Sequence, residues 1–303
     1  MSAPEATRGS LTPRTVVITG ASDGIGAAAA RFLTRRGDNV VIVGRSPSKT
    51  RAIAGELASD YVIADFARLD DVRSLAQTLR ERYPVIHVLA NNAGGIMSKR
   101  EDTVDGHEKT LQVNHLAPFL LTNLLIDRLS ASRAIVINTA SVANSLYGRL
   151  DLSDLDARQK YSPNRAYGNA KLANILFTRE LDFRYRDSGP ESDTPGAIAT
   201  AAFHPGIVGT SFAADSTSHL RFVYRTVLGR LMLTPDRGAD TLNWLATTRP
   251  GIDWVRGEYY EKRMIQRANK QAYDSLLAHD LWELSAEMVG IPTERAGRSA
   301  REH

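Results

Sequence analysis

The sequence predicts an α/β fold, a doubly wound and mostly parallel sheet with helices on both faces. Short runs of Val, Ile and Ala alternate with helical segments from residue 15 onward, and these runs are apolar at almost every position. Such strands are typical of a parallel sheet that is covered on both faces. A glycine-rich turn also joins the first predicted strand to the first predicted helix, a junction that often faces a ligand crevice.

Strands and helices alternate in a regular order along the chain. The first two strands are rich in β-branched residues, and Gly37 ends the helix between them. The predicted strands lie at Thr15–Thr19, Asn39–Val43, 61–64, Ile86–Ala90, 133–138 and Ala197–Phe203. The predicted helices lie at Ala27–Arg36, 48–58, 70–82, 106–130 and 164–187.

The domain organisation follows from the continuity of this series. No change of composition divides it, and residues 188–196 read as a loop because another strand follows at once. We therefore expect one domain over residues 13–292, with a flexible tail at 1–12 and another at 293–303.

Composition excludes several classes of function. The 303 residues are 43% hydrophobic and 24% charged, as in a globular protein. The net charge of +4 comes from Lys and Arg that are spread among acids, so we expect no nucleic-acid partner. The absence of cysteine excludes disulfides, thiolate zinc sites and cysteine nucleophiles. His107 and His115 have no metal ligands at the required spacing, so we expect no metal.

No membrane span is predicted. Residues 1–10 lack the apolar run that a signal peptide needs. The longest strongly apolar stretch, 116–126, is too short to cross a bilayer and contains Pro118. These observations favour a cytoplasmic location.

The turn after the first strand has the features of a nucleotide site. Residues 19–26 read TGASDGIG, and the glycines at 20, 24 and 26 allow a tight turn and a close approach of pyrophosphate to the helix N-terminus. Free N–H groups and the helix dipole favour negative charge there. The motif predicts a dinucleotide site, although such turns also serve structural ends alone.

The end of the second strand bears on which dinucleotide is preferred. NAD sites commonly carry an acid about 20 residues after the glycines, where it holds the ribose hydroxyls. Here that position reads Gly44-Arg45-Ser46, with Lys49 shortly after. Arg45 can bind a 2′-phosphate that an acid would repel. We therefore predict NADP(H) over NAD(H); the alternative is that Arg45 is an ordinary surface charge.

Polar residues follow other predicted strands, where chemistry is expected. Tyr167 and Lys171 are four residues apart on a predicted helix and so share one face. Phenols titrate at about 10, and a nearby ammonium stabilises the phenolate form. Ser141 comes directly after a strand, and Asn114 is a polar residue in an apolar helical stretch. A tyrosine–lysine pair alone is a frequent surface accident, so its meaning depends on these neighbours.

These pieces together resemble the short-chain dehydrogenase/reductase family and its Rossmann fold, over residues 15 to about 210. The matching pieces are TGASDGIG at 19–26, Asp65, NNAG at 91–94, Asn114, Ser141, Tyr167-x-x-x-Lys171 and Pro205-Gly206. The stretches Tyr167–Leu181 and Leu281–Ile291 resemble the retinol-dehydrogenase-like branch. Ala170 departs from the family, many members of which have serine there, and His87 replaces a frequent aspartate.

The resemblance implies residue roles. The catalytic tetrad would consist of Asn114, Ser141, Tyr167 and Lys171, with Tyr167 as general acid or base. Asp65 would contact the adenine, and Asn91 would line the cofactor. The motifs and the resemblance together assign cofactor binding to Gly20, Ser22, Asp23, Gly24, Ile25, Gly26, Arg45, Ser46, Asp65, Phe66, Asn92, Ala93, Gly94, Tyr167, Lys171, Pro205, Gly206, Val208 and Thr210.

The resemblance also implies an NADP(H)-dependent oxidoreductase that interconverts a carbonyl compound and its alcohol. Residues 206–233, where family members place a substrate lid, are rich in apolar side chains, so we expect a lipophilic substrate. Arginines within 219–233 leave membrane-surface contact open beside a solvated helix face. Homodimers through the two long helices are common in the family. The alternatives are a non-catalytic NADP(H)-binding sensor or scaffold, and a cofactor-recycling epimerase or dehydratase.

Overall fold

The computed structural model describes residues 13–186, 197–208 and 233–292, which form an eight-stranded sheet. The strands are β1 (Thr15–Thr19), β2 (Asn39–Gly44), β3 (Asp60–Ile63), β4 (Val88–Asn91), β5 (Ile135–Thr139), β6 (Ala199–His204), β7 (Glu258–Glu261) and β8 (Met264–Ile265). Their order across the sheet is β3-β2-β1-β4-β5-β6-β7-β8. Strands β1 to β7 pair in parallel, and β8 is antiparallel to β7. The predicted, mostly parallel sheet is confirmed.

Helices connect these strands. They are α1 (Gly24–Arg35), α2 (Pro47–Leu57), α3 (Leu69–Arg82), α4 (Lys109–Leu111), α5 (Ala117–Leu124), α6 (Ile126–Ala131), α7 (Ala143–Tyr147), α8 (Pro163–Arg184), α9 (Pro235–Thr247) and α10 (Ser275–Met288). A π-helical turn, Gln112–Leu116, joins α4 to α5. The two tails and most of the expected lid, including Thr210, lie outside the described residues.

Two apolar clusters show that helices cover both faces of the sheet. Successive strand residues point to opposite faces. Val17 and Leu89 accordingly pack in one cluster with residues of α3, α5 and α10. Val16 and Ile18 pack in the other cluster with residues of α1 and α9. Burial on both faces explains why the central strands are apolar at almost every position, and the doubly wound fold is confirmed.

The helix predicted over 106–130 is wrong in its start and its continuity. It begins at Lys109, because the buried carboxylate of Glu108 accepts hydrogen bonds from the backbone N–H groups of Thr110 and Leu111. The chain then forms the π-helical turn 112–116 and breaks again at Leu125. Apolar periodicity does not distinguish a π-helical turn from an α-helical one, so the pattern predicted a single helix.

Other predicted boundaries differ by a few residues. The first helix begins at Gly24 rather than Ala27, because Asp23 caps it and the last two glycines of the motif belong to its first turn. The helix predicted to reach 187 ends at Arg184. Strands β7 and β8 and helices α9 and α10 were not predicted. Within the described part of the chain, no helix is long and apolar enough to cross a membrane.

The strand order creates a crevice beside β1. The neighbours of β1 are β2 and β4, so the chain crosses over between β3 and β4. In such sheets ligands bind at the carboxyl ends of the strands, where the order reverses. Five predicted site residues come just after these strands and therefore lie along one edge of the sheet. In sheet order they are Asp65 after β3, Arg45 after β2, Gly20 after β1, Asn92 after β4 and Ser141 after β5.

Candidate active site

The glycine-rich turn packs directly on the loop after β4. Gly20 has a φ of +66°, which an L side chain rarely adopts, and a Cβ there would lie 2.8 Å from Cα of Ala93. A Cβ at Gly26 would lie 2.7 Å from Nδ2 of Asn92. Both positions therefore require glycine, and at these two positions the backbone of the turn forms a cradle without side chains at the switch point of the sheet. That cradle fits the pyrophosphate of a dinucleotide, as the motif predicts.

Hydrogen bonds hold the same two segments together. Oγ1 of Thr19 accepts from the backbone N–H groups of Asn92 and Ala93, at 3.0 Å each. Nδ2 of Asn92 donates to the carbonyl of Thr19 at 3.0 Å. The loop after β4 is thereby fixed against the end of β1. Sequence reasoning did not single out Thr19, although a threonine at a strand end beside a glycine turn is a usable signal.

The adenosine end of the crevice is defined by the ends of β2 and β3. Arg45 is exposed immediately after β2, and Lys49 forms a 2.9 Å ion pair with Asp23. Oδ1 of Asp65 accepts from the N–H of Ala67 at 3.0 Å. The Phe66 side chain is buried in the core, so only the backbone of this predicted cofactor residue can reach a ligand.

Ser46, also predicted to bind cofactor, occupies the N-cap position of α2, and Pro47 begins the helix. The Ser46 side chain makes no capping hydrogen bond. Ser46 therefore lies where an anion at the helix N-terminus would be favoured.

Asn114 lies in the middle of the π-helical turn and is completely buried. Its Oδ1 accepts from the N–H of Gly95 at 3.1 Å, and its Nδ2 donates to the carbonyls of Gly95 and Thr110, both at 2.8 Å. The expectation that this asparagine needs polar partners is met by the loop after β4. The side-chain amide thus ties that loop to the turn, while the backbone carbonyl of Asn114 is left for another donor.

Lys171 is buried beside Tyr167 on α8. Its Nζ donates to the carbonyl of Thr139 at 3.0 Å and lies 5.5 Å from the centre of the Tyr167 ring. A Cβ at Gly94 would lie 3.2 Å from the same Nζ. The side chain of Lys171 is 1% exposed, and burial lowers its pKa to about 7. The structure therefore brings Asn114, Tyr167 and Lys171 to the loop after β4.

Ser141 lies just before α7, which packs on the helix that carries Tyr167 and Lys171. Its Oγ accepts from the N–H of Ala143 at 3.2 Å. A Cβ at Gly168, the neighbour of Tyr167, would lie 2.8 Å from the carbonyl oxygen of Ala143. This close contact between the backbones of α7 and α8 holds the segment of Ser141 next to that of Tyr167.

The residues after β6 lie beside α9 and the first turn of α1. Gly206 has a φ of +81°, and Val208 forms a parallel bridge with Leu233, where the described chain resumes. A Cβ at Gly238 would lie 2.7 Å from Cγ2 of Val208 and 3.1 Å from Cγ1 of Ile25. The predicted cofactor residues Ile25 and Val208 therefore meet at α9. Among the described residues, no group of three or more His, Asp or Glu could hold a metal ion.

Replacing Lys171 with Met is expected to stabilise the apoprotein below neutral pH. The buried lysine has a lowered pKa, so between about pH 7 and its ordinary 10.5 the unfolded chain binds a proton that the folded chain does not. The free energy of unfolding of the natural protein therefore rises with pH through that range. Below pH 7 Lys171 is charged in the folded protein, so its burial destabilises the fold most there. Urea unfolding at pH 6 should show a gain of about 2 kcal/mol for Lys171→Met. The gain should be smaller at pH 9.5. The control variant Lys270→Met, at an exposed lysine, should leave the free energy of unfolding unchanged at both pH values.

Comparisons with known proteins place this chain among characterised families. The model of the short chain dehydrogenase family matches residues 14–221. A candidate daunorubicin C-13 ketoreductase, DnrU, of Streptomyces sp. (strain C5) is 41% identical, with 93% of this chain and 94% of that protein covered. Retinol dehydrogenase 13 of Homo sapiens is 34% identical, with 94% and 87% covered. The crystal structure of an uncharacterized protein from Mycobacterium paratuberculosis is 33% identical, with a TM-score of 0.72 and coverage of 92% and 95%.

The family match covers strands β1 to β6, the glycine cradle and the tyrosine–lysine helix, and the relatives span nearly the whole chain. The chain therefore belongs to the short-chain dehydrogenase/reductase family, in its retinol-dehydrogenase-like branch, and is an NAD(P)-dependent oxidoreductase of alcohol and carbonyl groups.

Proposed function

We propose that the protein is an NADP(H)-dependent oxidoreductase that interconverts a lipophilic carbonyl compound and its alcohol, with Tyr167 as general acid and base. The observation that carries the proposal is the position of Lys171. Its ammonium group is buried, lies 5.5 Å from the centre of the Tyr167 ring and borders the glycine of the loop after β4. A cation in that place favours the phenolate form of its neighbour.

The protein's own groups would manage the proton and the developing charge. NADPH, when bound along the cradle, supplies the hydride in the reductive direction. Tyr167 donates its hydroxyl proton to the substrate oxygen, and in the oxidative direction it accepts that proton. Ser141 donates a hydrogen bond to the same oxygen and stabilises the negative charge that develops there. Lys171 stabilises the tyrosinate that remains, and Asn114 holds the loop after β4 against the lysine.

The preference for NADP(H) rests on the charges at the end of β2. No acid occupies residues 44–46, and Asp23 in the glycine-rich turn pairs with Lys49 at 2.9 Å. Arg45 is exposed beside the N-terminus of α2, where the helix dipole also favours an anion. These features support binding of a 2′-phosphate, which NADP(H) carries and NAD(H) lacks.

Calorimetric titration with NADPH and NADH tests the cofactor site. We expect NADPH to bind more tightly, and Arg45→Ala to weaken NADPH binding by about 10- to 100-fold while leaving NADH binding nearly unchanged. The matched control is Arg51→Ala, which changes an exposed arginine on α2, the helix that follows Arg45; this variant should bind as the natural protein does. Equal or tighter binding of NADH by the natural protein would contradict the proposed preference.

Exposed apolar side chains next to Ser141 support a lipophilic substrate. Val142 is 40% exposed, and Leu146 and Tyr147 on α7 are 64% and 47% exposed. The names of two relatives refer to retinol and to C-13 of daunorubicin. A screen of aliphatic and aromatic ketones and aldehydes for NADPH oxidation tests this class. Dimerisation through the helices of Asn114 and Tyr167 stays a prediction.

A further inference from the structure

A buried chain of polar side chains runs from α10 to the backbone carbonyls of Asn114 and Thr139. Oγ of Ser285 lies 2.9 Å from Nε2 of His115, and Nδ1 of His115 lies 3.3 Å from Oδ1 of Asn174. Nδ2 of Asn174 donates to the carbonyls of Asn114, at 3.0 Å, and Thr139, at 3.2 Å. Ser285 and His115 are completely buried, and Asn174 is 4% exposed. The chain therefore ends on the same Thr139 oxygen that accepts from Lys171.

With a neutral imidazole at His115, the hydrogen bonds of this chain have a single consistent assignment. The two carbonyls require the NH2 group of Asn174 to face them, so its oxygen must face His115. His115 then donates from Nδ1 and accepts the Ser285 hydroxyl at Nε2. This requires a neutral imidazole, and burial lowers the pKa of His115 to about 4. Each donor thus points toward the two carbonyls, and the amide of Asn174 cannot rotate without losing three hydrogen bonds.

The local sequence removes the α-helical partner of the Asn114 carbonyl. In an α-helix this carbonyl would accept from the N–H four residues on, but that residue is Pro118, which has none. Asn174, one turn beyond Lys171 on α8, supplies the missing donor. A buried carbonyl without a donor would cost free energy, so this contact also holds the turn against α8.

We propose that Asn174, oriented by His115 and Ser285, is a positioning residue for the reaction. Through one amide it joins the Thr139 carbonyl, which accepts from the Lys171 ammonium, to the backbone of the turn that carries Asn114. The inference rests on the proposed function, in which Lys171 supports Tyr167. It adds three side chains, Asn174, His115 and Ser285, that touch neither substrate nor cofactor.

The experiment compares two buried asparagines. Asn138 is 1% exposed, makes two side-chain hydrogen bonds, to Asn91 and Thr178, and precedes Thr139 directly, so Asn138→Ala is a matched control for Asn174→Ala. The titration of Lys171 is followed by NMR in the apoprotein with nitrogen-labelled lysine. Without the Asn174 amide, the Thr139 oxygen accepts more strongly from the ammonium. The Lys171 pKa should rise by about half a unit or more in Asn174→Ala and stay unchanged in Asn138→Ala.

Kinetics provide the second readout, with a carbonyl substrate from the screen. Asn174→Ala should lower kcat about tenfold and change KM by no more than about threefold. In the pH profile of kcat, the change that follows the titration of Lys171 should move to higher pH. Ser285→Ala, which removes one hydroxyl and should fold readily, should move the Lys171 titration in the same direction by less. If Asn174→Ala does not fold, the Ser285→Ala titration decides alone.

Equal titrations and pH profiles in Asn174→Ala and Asn138→Ala would overturn the inference, and an unmoved titration in Ser285→Ala would do the same. Tyr167→Phe separates this failure from failure of the proposed function. If Tyr167→Phe is inactive while the two asparagine variants behave alike, only the positioning role is wrong. If Tyr167→Phe keeps its turnover, the proposed function itself is wrong.

Discussion

Tyr167→Phe is expected to lower kcat for carbonyl reduction by about a thousandfold or more. The substitution removes the one hydroxyl that is proposed to donate the proton, and the ring is 7% exposed, so phenylalanine fits the same space. The loss should appear in kcat. NADPH affinity should change by less than about threefold, because the ring and the Lys171 ammonium remain in place. Steady-state kinetics and calorimetric titration of the same preparation measure both quantities.

Tyr161→Phe is the matched control for this variant. The Tyr161 hydroxyl lies 3.2 Å from the carbonyl of Met97 and 3.3 Å from that of Lys99, so this change also deletes a tyrosine hydroxyl near the loop after β4. Its hydroxyl is not assigned to the reaction, and kcat should stay within about threefold of the natural value. Turnover by Tyr167→Phe at a rate similar to that of the control would remove Tyr167 from the mechanism.

Gly94→Ala is expected to lower kcat/KM by about a hundredfold or more. A Cβ at this position would lie 2.5 Å from Oδ1 of Asn114 and 3.2 Å from Nζ of Lys171. The first distance is shorter than atoms tolerate, so the Asn114 amide must move, and with it the hydrogen bonds to Gly95. The Lys171 ammonium must also shift slightly, because 3.2 Å is tighter than an ordinary contact. Misplacement of reacting groups by about 1 Å can cost such a factor, without loss of any polar side chain.

Gly95→Ala provides a strict control, because it adds the same methyl group one residue later. A Cβ at Gly95 would meet only Cε of Met97, at an ordinary contact distance of 3.7 Å. This variant should keep most of the activity, and both variants should melt within a few degrees of each other. If the two variants lose activity to the same extent, the effect comes from stiffening of the loop and not from contact with Asn114 and Lys171.

Much of the fold was predictable because it depends on local pattern. The central residues of β1, β2 and β5 are buried on both faces of the sheet and are apolar, so these strands can be predicted from their own sequence. Gly20 and Gly26 identify the cradle because only glycine allows such close backbone approach. The four-residue spacing placed Tyr167 and Lys171 on one face of α8, and the structure confirms that proximity at 5.5 Å. Thus the sequence by itself determined the doubly wound sheet, the cradle and the tyrosine–lysine pair.

The tertiary structure alone decided how the groups around that pair are held. The π-helical turn at Asn114 depends on Pro118 and on a donor from α8, two contributions that no single periodicity contains. His115 and Ser285 are far apart in the sequence and meet only when α10 packs on α8 and α5. Likewise the lowered pKa of Lys171 comes from burial, which requires the whole site to assemble. Local elements follow from short-range pattern, whereas hydrogen-bond partners and desolvation are set by long-range packing.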